Sequence, residues 1–546
     1  MSIQPKKLLL PVCFGLLATM PGSAQILGGG PETVRLHTGT ASGDKLGQAV
    51  CILADVDGDG SEDYAVGAPN DSSGPNGQSG TVFLYSGATG QVLQTLFGMA
   101  VGDQFGFSAA AAEVDPSGTV VLLVGAPHAG NNNRGQVYAF NAATGQLLWT
   151  GDRGPSSTAV DFGWAVDFVS DENGDGYPEV IVSDPSVVFS PTELGAVYKL
   201  DGLTGAVLAS ARSWNPLWSF GLEMHAFGDL DGDGFKDFGA KSHNRTLLEV
   251  YSSASMARLW SYQTRFEDGR HTFCGVENAD PTGLDDVLVL TSYFPGSSGS
   301  LRRLDENGNE SWFFDHPQGS NYSEVFSISD WDQDGSDLVI ATEWDSNASA
   351  WVSSTMDPQD PNLQSHFQQS SQPFAGIALE VLGSRHPYLV YGDPNFWLPG
   401  MGNPGRVTVW EYLSFLEADA AQLSNSSGGT VTFDFDFPAS EAGAFYVLLA
   451  SYTGTGPTYL SGVAVPLTSD PLFQAMVNGN PPSQYLQSFG TLDGQGAGQA
   501  FLTTNPGDLS SLVGSTLFHA VVSLDPPNPN YQARLSSEFV SIQILP

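Results

Sequence analysis

The sequence predicts an all-β protein, a seven-bladed β-propeller followed by a small β-sandwich domain, and three observations support this prediction. Short apolar runs alternate with Gly, Asn, Asp and Ser, and no long stretch keeps the 3.6-residue apolar period of a helix. An acidic loop motif recurs with spacings of 58, 58, 58, 49 and 52 residues. A period of about 50 to 60 residues fits one four-stranded propeller blade per copy. The repeat stops near residue 412, and alternating strands follow.

The composition excludes several classes of protein. The 546 residues are 41% hydrophobic and 11% aromatic, which is enough to build packed cores and argues against a disordered chain. A chain of this length needs several domains, or a repeat that spreads many small cores around a ring. The formal net charge of −40 repels nucleic acids and anionic lipids, so we expect no nucleic-acid partner.

The first 24 residues have the pattern of a secretory signal peptide. Lys6 and Lys7 form a charged start, Leu8–Met20 is apolar, and small residues lead to a cleavage site near Ala24. The apolar run is too short to span a bilayer, and no later segment is apolar enough to be a transmembrane segment. We therefore expect a secreted protein, extracellular or held at the cell surface.

Each copy of the repeat has three parts. The clearest copy begins at Leu46 and Gly47, continues through an acidic loop from Asp55, and ends with the turn Gly67–Pro69. Further copies keep an acidic loop that starts at position 113, 171, 229, 278 or 330. A seventh copy keeps the turn Gly392–Pro394 but has lost the acidic loop. Six copies in register and a degenerate seventh predict seven blades, within residues 25–412.

The ends of the repeat region predict how the ring closes. Thr33–Thr38 precedes the first Leu-Gly turn as Gln91–Leu96 precedes the second copy, so this segment is a fourth strand without a blade of its own. The seventh copy supplies only three recognisable strands, the last being Arg406–Tyr412. We expect the N-terminal strand to complete blade seven, because this pairing removes two exposed sheet edges.

The acidic loops have the pattern of a calcium site. Side-chain oxygens at positions 1, 3 and 5 of a tight loop converge on one point, Gly at position 6 permits the turn, and a carboxylate at position 9 closes the shell. A metal-free, Asx-rich turn is the alternative, but it would leave the carboxylates crowded and mutually repelling. The predicted ligands are Asp55, Asp57, Asp59 and Asp63 in loop one; Asp171, Asn173, Asp175 and Glu179 in loop three; Asp229, Asp231, Asp233 and Asp237 in loop four; Asn278, Asp280 and Asp286 in loop five; and Asp330, Asp332, Asp334 and Asp337 in loop six.

Three of the loops depart from this pattern. Loop two has Val121 at position 9, and we expect it to be metal-free. Loop five has Thr282 at position 5, and loop six is one residue short between Gly335 and Asp337. The occupancy of these two loops is open, so we expect three to five Ca²⁺ ions per chain.

Together, the Phe-Gly turns, acidic loops and Gly-Ala-Pro turns resemble the FG-GAP repeats of the integrin alpha-chain propeller. The resemblance covers residues 33–412, roughly 70% of the chain. It implies recognition of an extracellular protein or glycan at one propeller face, with Ca²⁺ stiffening the loops at the opposite rim. An extracellular binding or cell-adhesion module is therefore the first functional hypothesis.

Two other functional classes remain open. One is an enzyme that uses the propeller as a scaffold, such as a polysaccharide lyase or phospholipase, and the other is a structural envelope component. The sequence indicates no catalytic residues, since its histidines are scattered and no Gly-x-Ser-x-Gly motif occurs. Turns such as Asn141–Gly145 resemble those of quinoprotein blades, but a tight hairpin explains them without an organic cofactor.

Residues 413–546 have a different pattern. Thr430–Phe437 alternates strictly between apolar and polar residues, and Phe445–Ala450, Phe518–Leu524 and the C-terminal segment also have the pattern of strands. Strands of this kind over about 130 residues predict a β-sandwich-like domain, and they imply no chemistry.

Overall fold

The computed structural model shows a chain built almost wholly of β-strands. It describes residues 31–546 except 116–117, 131–132, 155–160, 191–192, 214–218, 243–246, 264–269, 277–285, 293–299, 316–320, 329–337, 346–349, 357–363, 369–378, 383–387, 397, 399, 413–414, 438–440, 455–457, 461–462, 526–531 and 538–539. The predicted signal peptide lies outside the described residues. Contacts divide the chain into two compact units, one containing Thr33–Asn362 and Gln368–Glu411, and the other containing Tyr412–Pro546.

Within the described residues, the segment 31–412 contains seven antiparallel sheets of four strands, and each corresponds to one predicted copy of the repeat. The seven-bladed propeller fold is thereby confirmed. Blades one to three contain β2 (Ala49–Leu53), β3 (Asp63–Ala68), β4 (Thr81–Tyr85) and β5 (Val92–Phe97); β6 (Ser108–Glu113), β7 (Val120–Ala126), β8 (Gln136–Asn141) and β9 (Gln146–Gly151); and β10 (Val166–Phe168), β11 (Val180–Ser190), β12 (Glu193–Leu200) and β13 (Val207–Ala211).

The remaining blades follow the same order. Blades four to six contain β14 (Glu223–Phe227), β15 (Asp237–Lys241), β16 (Leu247–Tyr251) and β17 (Arg258–Gln263); β18 (Arg270–Val276), β19 (Asp286–Ser292), β20 (Ser300–Leu304) and β21 (Glu310–Asp315); and β22 (Asn321–Ile328), β23 (Leu338–Asp345), β24 (Ala350–Met356) and β25 (Gln364–Gln368). Blade seven contains β26 (Leu379–Leu382), β27 (Tyr388–Asp393), β28 (Arg406–Tyr412) and β1 (Pro31–Thr38).

The N-terminal strand closes the ring as expected. Strand β1 pairs with β28 and becomes the outer strand of blade seven. Just after β1, the Gly39 N–H donates to Gly405 O at 3.1 Å, and the Leu46 N–H donates to Pro404 O at 3.2 Å. The first and last blades are therefore joined by backbone hydrogen bonds between residues that are far apart in the sequence.

The two glycine-containing turns of the motif exist because neighbouring blades approach closely. The Gly47 N–H donates to Gly67 O at 3.0 Å, which ties the turn before the first strand to the end of the second strand. A Cβ atom at Gly67 would lie 2.0 Å from Gly106 O in blade two. Gly106 itself has a φ of +88°, a conformation that glycine adopts without strain. The glycines of the motif thus permit the close backbone contacts between neighbouring blades.

The phenylalanines of the motif form part of the core between blades. Phe105, Phe162 and Phe220 are each 1% exposed or less. Phe105, for example, packs in one buried cluster with Leu53 of blade one and Val124 of blade two. The propeller is therefore held together by several small clusters at the blade boundaries.

The second unit is a two-sheet domain, which confirms the predicted sandwich. Strands β31 (Gly429–Asp436) and β38 (Thr516–Leu524), which belong to different sheets, contribute inward-facing residues to one buried cluster. The first sheet contains β29 (Leu416–Ala418), β31 (Gly429–Asp436), β37 (Ala497–Thr504) and β35 (Tyr485–Leu486). The second contains β30 (Gln422–Ser424), β40 (Val540–Leu545), β38 (Thr516–Leu524), β32 (Phe445–Ser451) and β36 (Phe489–Thr491), with β39 (Ala533–Ser536) beside β38. A hairpin of β33 (Thr458–Leu460) and β34 (Val463–Val465) and one short helix, α1 (Pro471–Val477), complete it.

Candidate metal centre

The acidic loops of blades one, three and four connect the first strand of each blade to the second. In blade one the loop spans residues 54–62, between β2 and β3. The first strand of each blade runs from the Phe-Gly turn to the acidic loop, so these loops share one rim of the ring and the Phe-Gly turns lie at the other. The fold therefore repeats the same loop around a single rim.

The residue at position 1 folds each of these three loops. In loop one, Asp55 Oδ1 accepts hydrogen bonds from the N–H groups of Gly58 at 2.6 Å and Asp59 at 3.1 Å, and its Oδ2 accepts one from Gly60 N–H at 2.8 Å. Asp171 and Asp229 make the same three bonds in loops three and four. Three separate sequences thus fold into one loop conformation.

The residue at position 9 is buried, whereas positions 3 and 5 face solvent. Asp63, Glu179 and Asp237 are exposed by 0%, 1% and 0%. In each loop the N–H of position 2 donates to this carboxylate, as Val56 N–H does to Asp63 Oδ2 at 2.9 Å. The buried carboxylate thus forms the floor of the loop.

The side-chain oxygens converge on one point. Asp55, Asp57 and Asp59 each offer an oxygen within 4.8 Å of the other two, and so do Asp229, Asp231 and Asp237. Two oxygens that bind one Ca²⁺ at about 2.3–2.6 Å can lie up to about 5 Å apart. Between them, the two groups cover positions 1, 3, 5 and 9. The residues present therefore fit a hard divalent cation.

Without a cation, the buried carboxylates are hard to ionise. Burial, as the largest cause, and the nearby negative charge of Asp231 raise the pKa of the Asp237 carboxyl to about 7. Burial is also the main cause of the raised pKa of Asp63 and of Glu179. A bound divalent cation would reverse this effect, because an adjacent positive charge favours the ionised form.

The loop of blade two has another shape. Residues 114–119 connect β6 to β7, which is a shorter connection than residues 54–62 of blade one. Val121, at the place of the ninth ligand, is buried at 1% exposure. The floor of this loop is therefore apolar.

Loop five is described only in part, and loop six lies outside the described residues. Asn278 and Asp280 of loop five and Asp330, Asp332, Asp334 and Asp337 of loop six lie outside the described residues. Asp286 is described, and it forms a buried ion pair with Arg303 on β20. A guanidinium group thus already supplies a positive charge next to the predicted ninth ligand of loop five. The assignment of Asp286 to a metal stays a prediction.

The outer hairpins of blades one and four contribute to the acidic loops in a way that the sequence reasoning missed. The Gly87 N–H donates to Asp63 Oδ1 at 2.9 Å, and the Ser253 N–H donates to Asp237 Oδ1 at 3.3 Å. Both N–H groups belong to the turn between the third and fourth strands of the blade. The Thr89-Gly90 pair in the turn of blade one was an available signal, but it was interpreted only as a hairpin, and blade four has Ser255 and Met256 at the same places.

Part of the chain is similar in sequence to integrin alpha chains. No protein-family profile matches the chain. It is 30% identical over 229 residues to integrin alpha-2 of Bos taurus, 32% over 238 residues to integrin alpha-2 of Mus musculus, and 26% over 229 residues to integrin alpha-PS2 of Drosophila melanogaster. The alignments cover 38%, 40% and 38% of this chain, but only 18%, 18% and 16% of the relatives. The chain thus spans less than a fifth of the length of these relatives.

The similarity to a solved structure is low. The fold is similar to one in the crystal structure of BBS1N in complex with ARL6DN, soaked with lead. The TM-score is 0.44 and the identity 9%, over 71% of this chain and 98% of that chain, which is too weak to carry an inference about function. Among the described residues, no helix has the length and apolar character needed to cross a bilayer.

The sequence matches and the repeated loop geometry both indicate a propeller like that of the integrin alpha chains. The matches are to integrin alpha chains from a cow, a mouse and a fly, and the motif residues lie where blades meet and where acidic side chains converge. The repeats of this chain therefore resemble the FG-GAP repeats of the N-terminal propeller of the integrin alpha chains.

Proposed function

We propose that the protein is a secreted, calcium-binding β-propeller that acts as an extracellular binding or adhesion module for a protein or glycan. The observation that carries this proposal is the acidic loop repeated with one conformation in blades one, three and four. The similarity to integrin alpha chains adds the adhesion role. The loops and this similarity together support an extracellular adhesion-type propeller, and calcium binding, export and the ligand are proposed in addition.

Each loop would hold one ion through the same four positions. In loop four, Asp229, Asp231 and Asp233 supply oxygens from the exposed part of the loop, and Asp237 supplies one from the buried floor. The ion would neutralise carboxylates that otherwise repel one another, and would fix the turn that joins two strands. Loops one and three would do the same, and loops five and six could bring the number of ions to five.

Recognition is proposed for the opposite rim, where the Phe-Gly turns lie. Large apolar side chains are exposed there: Met99 at 57% and Val101 at 72%, both in the connection between blades one and two. Val188, near the tip of the hairpin formed by β11 and β12, is 59% exposed. Met99 and Val101 lie two residues apart, and exposed large apolar side chains that lie together are a common mark of an interaction site.

The metal part of the proposal has a direct test. Protein purified in millimolar Ca²⁺ and freed of unbound ion should contain three to five ions per chain by elemental analysis. A content of zero or one would contradict the loop assignment.

The binding part needs a separate test. The full secreted chain should be applied to an array of glycans and matrix proteins, with Ca²⁺ and with a chelator. We expect at least one ligand that is bound in Ca²⁺ and lost with the chelator. Val101→Asp should weaken that binding, whereas Leu208→Asp, at a 50% exposed position on the outer strand β13, should not. Failure of the folded, calcium-loaded protein to bind any array member would count against the adhesion role.

A further inference from the structure

The boundary between blades three and four differs from its neighbours. At the boundaries on either side, a tryptophan of the outer strand donates to a turn carbonyl of the next blade: Trp149 Nε1–H to Gly202 O at 2.8 Å, and Trp260 Nε1–H to Glu306 O at 2.9 Å. Ala209 occupies the register position of Trp149 in blade three, since Lys199 pairs with Ala209 as Ala139 pairs with Trp149. Blade three therefore has no tryptophan at the position that makes this hydrogen bond in blade two, and another side chain contacts the turn of blade four.

A buried lysine takes over the role of the tryptophan. Lys199, on β12, is 6% exposed, and its Nζ donates to Ser253 O at 2.9 Å and to Ala254 O at 3.2 Å in the turn of blade four. The same ammonium group forms an ion pair with Glu172. Glu172 is position 2 of acidic loop three, where loops one and four have the apolar residues Val56 and Leu230. The charge of Lys199 thus holds the carboxylate of Glu172 between the two blades.

Glu172 and Ser253 connect the floors of two acidic loops. The Glu172 N–H donates to Glu179 Oε2, the ninth position of loop three, at 2.7 Å. The Ser253 hydroxyl donates to Glu172 Oε1 at 2.8 Å, and the Ser253 N–H donates to Asp237 Oδ1, the ninth position of loop four, at 3.3 Å. A continuous path of three hydrogen bonds therefore joins the two buried carboxylates.

A second contact joins the same loops. The N–H of Lys236, just before Asp237, donates to the hydroxyl of Ser170, just before Asp171, at 2.8 Å. Loop one has no equivalent of the first path, because Val56 stands where Glu172 stands in loop three and its side chain cannot accept a hydrogen bond. Loops three and four are thus joined to each other by side chains that loop one lacks.

We propose that loops three and four bind calcium as a cooperative pair, with Glu172 and Ser253 as positioning residues, whereas loop one binds independently. The inference rests on the proposed calcium function. An ion in loop four would fix Asp237 and the Ser253 turn, which holds Glu172 and, through it, Glu179. The second ion would then bind to a floor that is already ordered, and coupling of this kind is reciprocal between the two sites.

The chain offers a reporter for one site alone. Tyr177 lies at position 7 of loop three, and its N–H donates to Asp175 Oδ1 at 2.8 Å. Position 7 is Ser61 in loop one and Phe235 in loop four, which are poor sensitisers of terbium emission. Terbium in place of calcium should therefore emit mainly from loop three on tyrosine excitation. Tyr177→Phe is the control that identifies this signal.

The test is a terbium titration of the full chain, followed through this emission. Asp233→Ala, which disables loop four, should weaken terbium binding at loop three by about fivefold or more, as expected for coupled sites. Asp59→Ala, the matched change in loop one, should leave it unchanged. In a Ser253→Ala background, the effect of Asp233→Ala should fall to that of Asp59→Ala, which simple destabilisation of blade four would not produce.

The outcomes separate the two proposals. If Asp233→Ala and Asp59→Ala have the same effect on loop three, the coupling is wrong while the calcium sites stand. If terbium and calcium bind to none of the loops, the proposed function itself fails. If Asp233→Ala prevents folding, Glu172→Gln provides the same comparison, because it alters the bridge and leaves all four ligand positions of both loops in place.

Discussion

The propeller and the C-terminal domain are both all-β, but they are stabilised in different ways. The C-terminal domain has one buried cluster that draws on both of its sheets, including Phe433 and Val521. The propeller has several smaller clusters, each confined to a boundary between blades, and it buries carboxylates such as Asp63 and Asp237 at its rim. One unit relies on a single apolar core, and the other on ring closure and on neutralising buried charge.

This difference follows from the chemistry of the two segments. A closed ring distributes its apolar area, so no blade can supply a full core, and each depends on both neighbours. The buried carboxylates destabilise the ring unless a cation or hydrogen bonds compensate them. We therefore expect the propeller to respond to truncation and to chelation, and the C-terminal domain to respond to neither.

The largest expected effect comes from removing the closing strand. Deletion of Thr33–Thr38 takes away most of β1 and leaves β28 as an unpaired edge in blade seven. We expect the whole ring to lose its protection in amide hydrogen exchange, while peptides from β31 and β38 keep theirs. A truncated protein whose propeller exchanges like the intact one would show that the ring does not need this strand.

The sequence could predict the ring because its signals repeat. A single acidic loop is weak evidence, but copies in register indicated blades, and the orphan strand at Thr33–Thr38 indicated closure. The contacts between blades could not be predicted in the same way. Trp149, Lys199 and Arg303 reach partners that lie 53, 54 and 17 residues away, and no local pattern specifies such partners.

The second effect in size is that of chelation. Extracellular calcium sites typically have Kd values of about 10⁻⁴ to 10⁻³ M, so at millimolar Ca²⁺ each contributes about 0.4 to 1.4 kcal/mol to the free energy of unfolding. Three sites then contribute about 1 to 4 kcal/mol, and a chelator should lower the melting temperature of the propeller by a few degrees. Calorimetry with and without chelator measures this shift. Unchanged melting of the propeller would mean that the loops are metal-free turns.

Acid should also destabilise the C-terminal domain, through a histidine buried in it. His519 is buried, its ring lies 2.9 Å from the Tyr485 hydroxyl, and burial lowers its pKa to about 3. Between about pH 6.5 and pH 3 the unfolded chain binds a proton that the folded chain does not, so stability falls as the pH falls through this range.

The loss at pH 5 is on the order of 2 kcal/mol. Hydrogen exchange in β38 at pH 7 and pH 5 measures it, and His519→Gln should remove the dependence. His37→Gln is the matched control, because the pKa of His37 is also lowered by burial, to about 4, but His37 lies in the propeller. If this control removed the dependence in β38 as well, His519 would not be its source.

The smallest predicted effect belongs to a single loop. Asp59 is exposed and lies at position 5 of loop one, where its Oδ1 accepts from Ser61 N–H at 2.9 Å. Asp59→Ala removes one calcium ligand but no buried side chain, so it should cost about 0.4 to 1.4 kcal/mol, the contribution of one site at millimolar Ca²⁺. It should lower the ion content by one, and the remaining shift on chelation should shrink by about a third if three loops are occupied.

Glu62→Ala is the control, because it removes a carboxylate from position 8 of the same loop, which is no predicted ligand, and it should leave the ion content unchanged. Equal losses of ion from the two variants would mean that loop one attracts calcium by its overall charge, and not through the four ligand positions.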